Sequence, residues 1–61
     1  MKLKDLINEI EKYGATFKRE GGSHTVYKDA KGKNLVIPRH REIAEGTASS
    51  IIRKAKKAYE N

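Results

Sequence analysis

The chain has 61 residues and no cysteine, and its 14 Lys and Arg against eight Asp and Glu give a formal charge of +6. A chain this short forms one domain with a small core and no large enclosed active site, so we expect residues 1–61 to be a single domain. The lack of cysteine excludes disulfides and thiolate metal sites and makes the cytoplasm the expected location, while the positive charge favours a polyanionic partner such as nucleic acid.

The first predicted element is a helix near the N-terminus. Apolar side chains recur there at a spacing that forms one stripe on a helix, and Gly14 supplies the expected C-terminal stop. The stripe consists of Leu3, Leu6, Ile7, Ile10 and Tyr13. Because charged residues interrupt the apolar positions, we expect this segment to be neither a signal peptide nor a membrane-spanning helix.

Three short strands joined by two turns are predicted next. The pair Gly21 and Gly22 permits positive φ and therefore a tight reversal after the first strand. Polar residues with one glycine over residues 29–34 predict the second turn, and Pro38 ends the third strand because it has no N–H to donate. The predicted strands cover residues 15–19, 23–28 and 34–37.

A second helix, amphipathic and basic, is predicted after a charged connection over residues 39–46. Thr47 is its expected N-cap, since the hydroxyl can accept a hydrogen bond from an amide of the first turn. One face is apolar and the rest carries Lys and Arg. The order α-β-β-β-α predicts an α+β fold in which both helices pack on one face of a three-stranded antiparallel sheet and the other face meets solvent.

His24 stands at the predicted start of the second strand, directly after Gly21, Gly22 and Ser23. A lone histidine there is often a surface residue without a role. Here, however, the glycines leave the backbone open to a large ligand, and the cationic surroundings would hold a phosphate nearby. An imidazole exchanges protons near neutral pH, as general acid–base cleavage of RNA through its own 2′-hydroxyl requires. His24 is therefore a candidate catalytic residue that needs no metal.

The other candidate residues carry weaker signals. His40 could supply a complementary acid or base, or it could be a solvated loop residue. A zinc site is disfavoured because two distant histidines without cysteine do not provide three ligands, so no metal or cofactor is expected. The lysines and arginines form either a phosphate-contacting surface or a solubility coat. Phe17 and Tyr27 are expected to pack within the protein and not to stack on bases.

Three short segments occur in a characteristic order along the chain: Gly22-Ser23-His24, then Ile37-Pro38-Arg39-His40, then Gly46-Thr47 with Ile51. Together with the α-β-β-β-α order, they make the chain from about Leu3 to Ala58 similar to the HicA (YcfA-like) family of mRNA-interferase toxins. This resemblance implies a fold like that of double-stranded-RNA-binding domains, a type II toxin that cleaves mRNA, and a HicB-like antitoxin as protein partner.

The resemblance places catalysis on His24, because this histidine matches the one of the family's Gly-Ser-His step. RNA contacts are predicted at Gly22, Ser23, Lys28, Arg39, His40 and Lys54. Two other functions remain open from the residues alone. A non-catalytic RNA-binding module would use His24 as one contact among many, and an interaction protein would use the basic surface for an acidic partner. DNA binding is less favoured, because no helix-turn-helix spacing is evident.

Overall fold

The computed structural model describes all residues from Met1 to Asn61, and its five elements follow the order α-β-β-β-α. The strands form one antiparallel sheet in the order β1-β2-β3. The predicted α+β fold is therefore confirmed. The elements are α1 (Leu3–Lys12), β1 (Thr16–Glu20), β2 (His24–Lys28), β3 (Asn34–Pro38) and α2 (Glu45–Glu60).

The core lies between the two helices and one face of the sheet. From α1, Leu6 and Ile10 are fully buried. The sheet and α2 complete the cluster, the main contributors being Tyr27, Leu35, Ile37, Ala48, Ile51 and Ala55. All five residues of β1 are exposed. The helices therefore cover β2 and β3 and leave β1 as an open edge of the sheet.

The alternation of side chains along β2 decides which face of the sheet carries His24. Successive residues of a strand point to opposite faces. Since Tyr27 belongs to the core, His24, Val26 and Lys28 share the opposite face. Val26, which is only 7% exposed, pairs there with Val36 of β3, which is 54% exposed. We call this surface, defined by His24, Val26, Lys28 and Val36, the open face.

The glycines do not all act as the sequence predicts. Gly14 follows α1 with φ 84° and its N–H donates to the carbonyl of Glu11, which is the predicted helix stop. Gly21 and Gly22 form the β1–β2 turn, but neither has a positive φ. The prediction that this turn needs glycine for a positive φ is therefore wrong. What matters at Gly21 is space, because a Cβ there would lie 2.7 Å from the carbonyl oxygen of His24.

The second helix begins earlier than predicted. Its N-cap is Ala44, the predicted N-cap Thr47 lies within the first turn, and no side chain caps this end. The early start follows from tertiary contacts: Ile43 is buried, and its N–H donates to the carbonyl of Met1 at 2.7 Å. The chain therefore turns into the helix directly after this anchored residue. Glu45 in the first turn partly compensates the uncapped amides through the helix dipole.

Candidate active site at the β1–β2 turn

His24 is the first residue of β2, and it is exposed on the open face. Its partner on β3 is Pro38. A residue that is paired within a sheet has a fixed backbone, so its Cα–Cβ bond has a fixed direction. The imidazole therefore projects into solvent from a rigid strand end.

Ser23 contacts one ring nitrogen of His24. The Ser23 Oγ lies 3.3 Å from Nδ1, a distance that suits either tautomer of the neutral ring. If Nδ1 carries the proton, Nδ1–H donates a hydrogen bond to the serine oxygen. Otherwise the serine hydroxyl donates a hydrogen bond to Nδ1. In both cases Nε2 has no partner in the protein and is the nitrogen free to meet a ligand.

The turn before His24 is closed by two hydrogen bonds of Gly21. The Gly21 N–H donates to the His24 carbonyl at 2.7 Å, and the Gly21 carbonyl accepts from Nη1 of Arg39 at 3.2 Å. A Cβ at Gly21 would collide with the same His24 oxygen, whereas a Cβ at Gly22 would have no atom within 4 Å. The two neighbouring glycines therefore differ: Gly21 is needed for a close backbone approach, and Gly22 only leaves space.

Arg39 joins the end of β3 to this turn. Its Nη1 also lies 2.5 Å from Oε2 of Glu20, and the two side chains are 44% and 60% exposed. An exposed pair of this kind contributes little to the stability of the fold. No other guanidinium nitrogen of Arg39 has a protein partner, so the side of the guanidinium away from Glu20 is free to donate.

The structure gathers some of the predicted site residues and separates others. Gly22, Ser23 and Arg39 surround the turn that carries His24. His40 is exposed, forms no hydrogen bond with the protein, and follows Pro38 by two residues. The pairing of Pro38 with His24 therefore keeps the two histidine Cα atoms within about 13 Å.

Lys28 and Lys54 lie away from this turn. Lys28 is at the opposite end of β2, about 13 Å from His24 at the usual rise of a strand. It pairs with Asn34, and Asn34 lines the same concavity as Lys54. Lys28 therefore lies at the far end of the open face from His24, and Lys54 lies in a separate concavity.

Sequence reasoning missed Glu20 and Gly21 as parts of the site. The Gly-Gly pair signalled a turn, but it did not show which of the two glycines touches the backbone of His24. The ion pair between Glu20 and Arg39 joins residues 19 positions apart, and only the arrangement of the three strands brings them together. A signal for Glu20 in the sequence alone was therefore lacking.

Tyr27 packs in the core as predicted, whereas Phe17 is 55% exposed and packs only across the strands against Tyr27. Tyr27 is buried, and its ring packs edge-on against that of Phe17 with centroids 5.8 Å apart. Burial, together with the negative charges of Glu11 and Glu20, raises the pKa of Tyr27 above its usual value. This tyrosine therefore stays protonated within the core.

Two further features bear on the class of protein. No three His, Cys, Asp or Glu side chains lie together in a way that could hold a metal ion. Neither helix is long and apolar enough to cross a membrane. What the fold and the site define is a small basic α+β protein with an exposed histidine at the end of a solvent-facing sheet.

Comparison with known families identifies the group to which this protein belongs. The model of the family described as HicA toxin of bacterial toxin-antitoxin matches residues 3–57. The chain therefore belongs to the HicA toxin family, as the resemblance indicated, and is a toxin of a toxin–antitoxin system with an antitoxin as partner. Searches of curated proteins and of solved structures found no match.

Proposed function

We propose that this HicA family toxin is an mRNA interferase of a type II system, an endoribonuclease that cleaves RNA through His24 without a metal ion. The observation that carries the proposal is the free Nε2 of an exposed imidazole whose Nδ1 meets Ser23 and whose backbone is held by Gly21. A positioned imidazole of this kind is suited to general acid–base catalysis.

In the proposed reaction the 2′-oxygen of a ribose attacks the adjacent phosphorus, and the bond from phosphorus to the 5′-oxygen breaks. His24 either takes the proton of the 2′-hydroxyl or gives a proton to the leaving 5′-oxygen, and water exchanges the other proton. A single group in such a role contributes about 10²–10⁴-fold to the rate. This modest factor predicts a slow nuclease.

Arg39 is the cation that we propose to stabilise the negative charge that builds on the phosphate. The guanidinium of Arg39 already contacts the turn that carries His24 through Nη1, and its other nitrogens have no partner in the protein. Charge-assisted hydrogen bonds to phosphate are stronger than neutral ones, and they matter most where charge develops in the transition state. Arg39 would then be both an RNA contact and a support for the turn.

The partner is proposed to be a HicB-like antitoxin that covers the open face around His24. An exposed site has no lid of its own, so a protein that occupies this face would exclude RNA. The antitoxin and RNA are therefore expected to compete, and simultaneous binding of both would contradict this part of the proposal.

The test is incubation of the purified chain with labelled mixed-sequence RNA in EDTA, beside His24→Ala and His40→Ala with matching circular-dichroism spectra. We expect the native chain to cut RNA and His24→Ala to bind RNA without cutting. If His40→Ala also stops cleavage, the two histidines divide the acid and base roles. If the native chain and His24→Ala cut equally, or neither cuts, the nuclease assignment fails and a non-catalytic RNA-binding module replaces it.

A further inference from the structure

A concave surface, separate from the site at the β1–β2 turn, lies where the β2–β3 turn meets the C-terminal half of α2. Its volume is about 320 Å³, and four lysines line it. We call it the lysine cleft and define it by Lys31 and Lys33 of the turn and Lys54 and Lys57 of the helix. These lysines are distant in the sequence, so packing of the turn against α2 is what brings their charges together.

The charge of the lysine cleft is not neutralised within the protein. None of its four lysines takes part in any of the ion pairs of the structure. The carboxylate of Asp29 lines the cleft, but its Oδ1 accepts the backbone N–H groups of Lys31 at 2.8 Å and Lys33 at 2.9 Å. This carboxylate therefore holds the turn in shape and leaves the ammonium groups free.

Charge counting supports an anionic ligand for the cleft. Asp29 is the one negatively charged side chain of the lining, so four positive charges face one negative charge. Four ammonium groups around one concavity repel one another, and a bound phosphate would relieve that repulsion. Seven of the nine lining residues are polar or charged, which suits an anionic ligand.

The position of the cleft relative to His24 points to one strand of RNA as the ligand. Asn34 lines the cleft and pairs with Lys28, and its side chain accepts a hydrogen bond from Lys18 Nζ at 2.9 Å. Lys18 and Lys28 therefore continue the positive surface from the cleft towards the open face. From there to His24 is about 13 Å, a distance that a strand of a few nucleotides spans.

We propose that the lysine cleft is a second binding site for the phosphates of the RNA strand whose scissile bond lies at His24. The inference rests on the proposed nuclease function and adds to it a place where substrate is held away from the cleavage point. Lysines act as flexible point charges, so the cleft would bind RNA of any sequence. Short RNA that fills only the region of His24 would lack this contribution.

The chain offers a matched pair of variants for the test. Lys54→Gln with Lys57→Gln removes two charges from the cleft, and Arg53→Gln with Lys56→Gln removes two charges from exposed positions of the same helix outside it. Binding of a long single-stranded RNA is measured in the His24→Ala background at several salt concentrations. This arm needs no cleavage, so it tests the cleft even if the nuclease proposal fails.

We expect the cleft variant to reduce the slope of log affinity against log salt by about 1.4, since each lost contact to single-stranded RNA removes about 0.7. Between 50 and 200 mM salt, this slope change makes the loss of affinity about sevenfold smaller. The control variant is expected to change the slope by much less. Equal changes in both variants would show only a general attraction, and no change in the cleft variant would show that the strand does not reach the cleft. Either result overturns the proposal.

Cleavage gives a second readout where His24 is intact. With a long RNA and a dinucleotide as substrates, the cleft variant should narrow the difference in kcat/KM between the two, mainly through a higher KM for the long RNA. A loss of kcat that is the same for both substrates would place these lysines in the chemical step and contradict a role in holding the strand.

Discussion

The substitution Gly21→Ala tests whether the β1–β2 turn holds His24 in place. The added Cβ would lie 2.7 Å from the carbonyl oxygen of His24, closer than such atoms are found in real proteins. The colliding atom belongs to the backbone, so no side-chain rotation can remove the contact. Either the strain remains or the turn opens, and opening breaks the hydrogen bond from the Gly21 N–H to the same oxygen.

The size of the effect follows from these two responses. Loss of the hydrogen bond costs about 0.5–1.5 kcal/mol, and overpacking costs about 1–3 kcal/mol. Alanine also restricts the unfolded chain, which offsets about 0.4–1 kcal/mol. Since the two responses are alternatives, we expect a net loss of about 1 kcal/mol in the free energy of unfolding. A domain of 61 residues has about 3–9 kcal/mol in total, so the variant should still fold, with a melting temperature lower by about 4–8 °C.

The assay combines thermal unfolding with RNA cleavage at a temperature where every variant is folded. Gly22→Ala is the control for stability, because its Cβ meets no atom within 4 Å, and its melting temperature should stay close to that of the native chain. In folded Gly21→Ala we expect kcat to fall by up to about 10²-fold, the loss that a 1 Å displacement of a catalytic group can cause. A Gly21→Ala protein as stable and as active as the native chain would refute the close contact and its role.

Three further predictions concern stability. Gly14→Ala should lower the free energy of unfolding by about 1 kcal/mol, because the φ of 84° at this position is strained for alanine. Gly46→Ala should raise the free energy of unfolding by about 0.5–1 kcal/mol, because Gly46 is helical and an added Cβ would meet no atom. Urea unfolding measures both, and shifts of the same sign in the two variants would contradict these expectations. Because the pKa of Tyr27 is raised in the folded protein, its protonated phenol contributes to the free energy of unfolding below the usual pKa of 10.0. This contribution is lost as the pH rises through the folded-state pKa. Tyr27→Phe should therefore flatten the decline of stability at alkaline pH, and equal declines in both proteins would argue against it.

The sequence was most informative where local patterns decide the structure. The apolar stripe that includes Leu6 and Ile10 predicted α1, and alternation in β2 places His24 on the face opposite Tyr27. It failed where contacts join distant parts of the chain. The start of α2 depends on the pairing of Ile43 with Met1, which no local signal near Thr47 shows.

The lysine cleft and the ion pair of Glu20 with Arg39 illustrate the same limit for the site. Basic residues in the sequence indicated a positive surface, but whether their charges converge depends on how α2 packs beside the β2–β3 turn. The partners of Arg39 likewise depend on the strand order and on the register shift in the β1–β2 pairing that lies between Phe17 and Arg19 of β1. Composition therefore predicts the sign of the surface charge, and tertiary structure decides its distribution.

Under the proposed function, the site has to work without enclosure, because the chain is too small to surround it. A buried active site restrains its catalytic group from all sides, but every residue of the β1–β2 turn here is exposed or half-buried. Restraint on His24 must then come from the backbone, through strand pairing and the close approach of Gly21. Binding must come from charges spread over the surface, because no pocket encloses the substrate. Under the proposed function, catalysis should thus depend on Gly21 and substrate affinity on salt, and the two should vary independently.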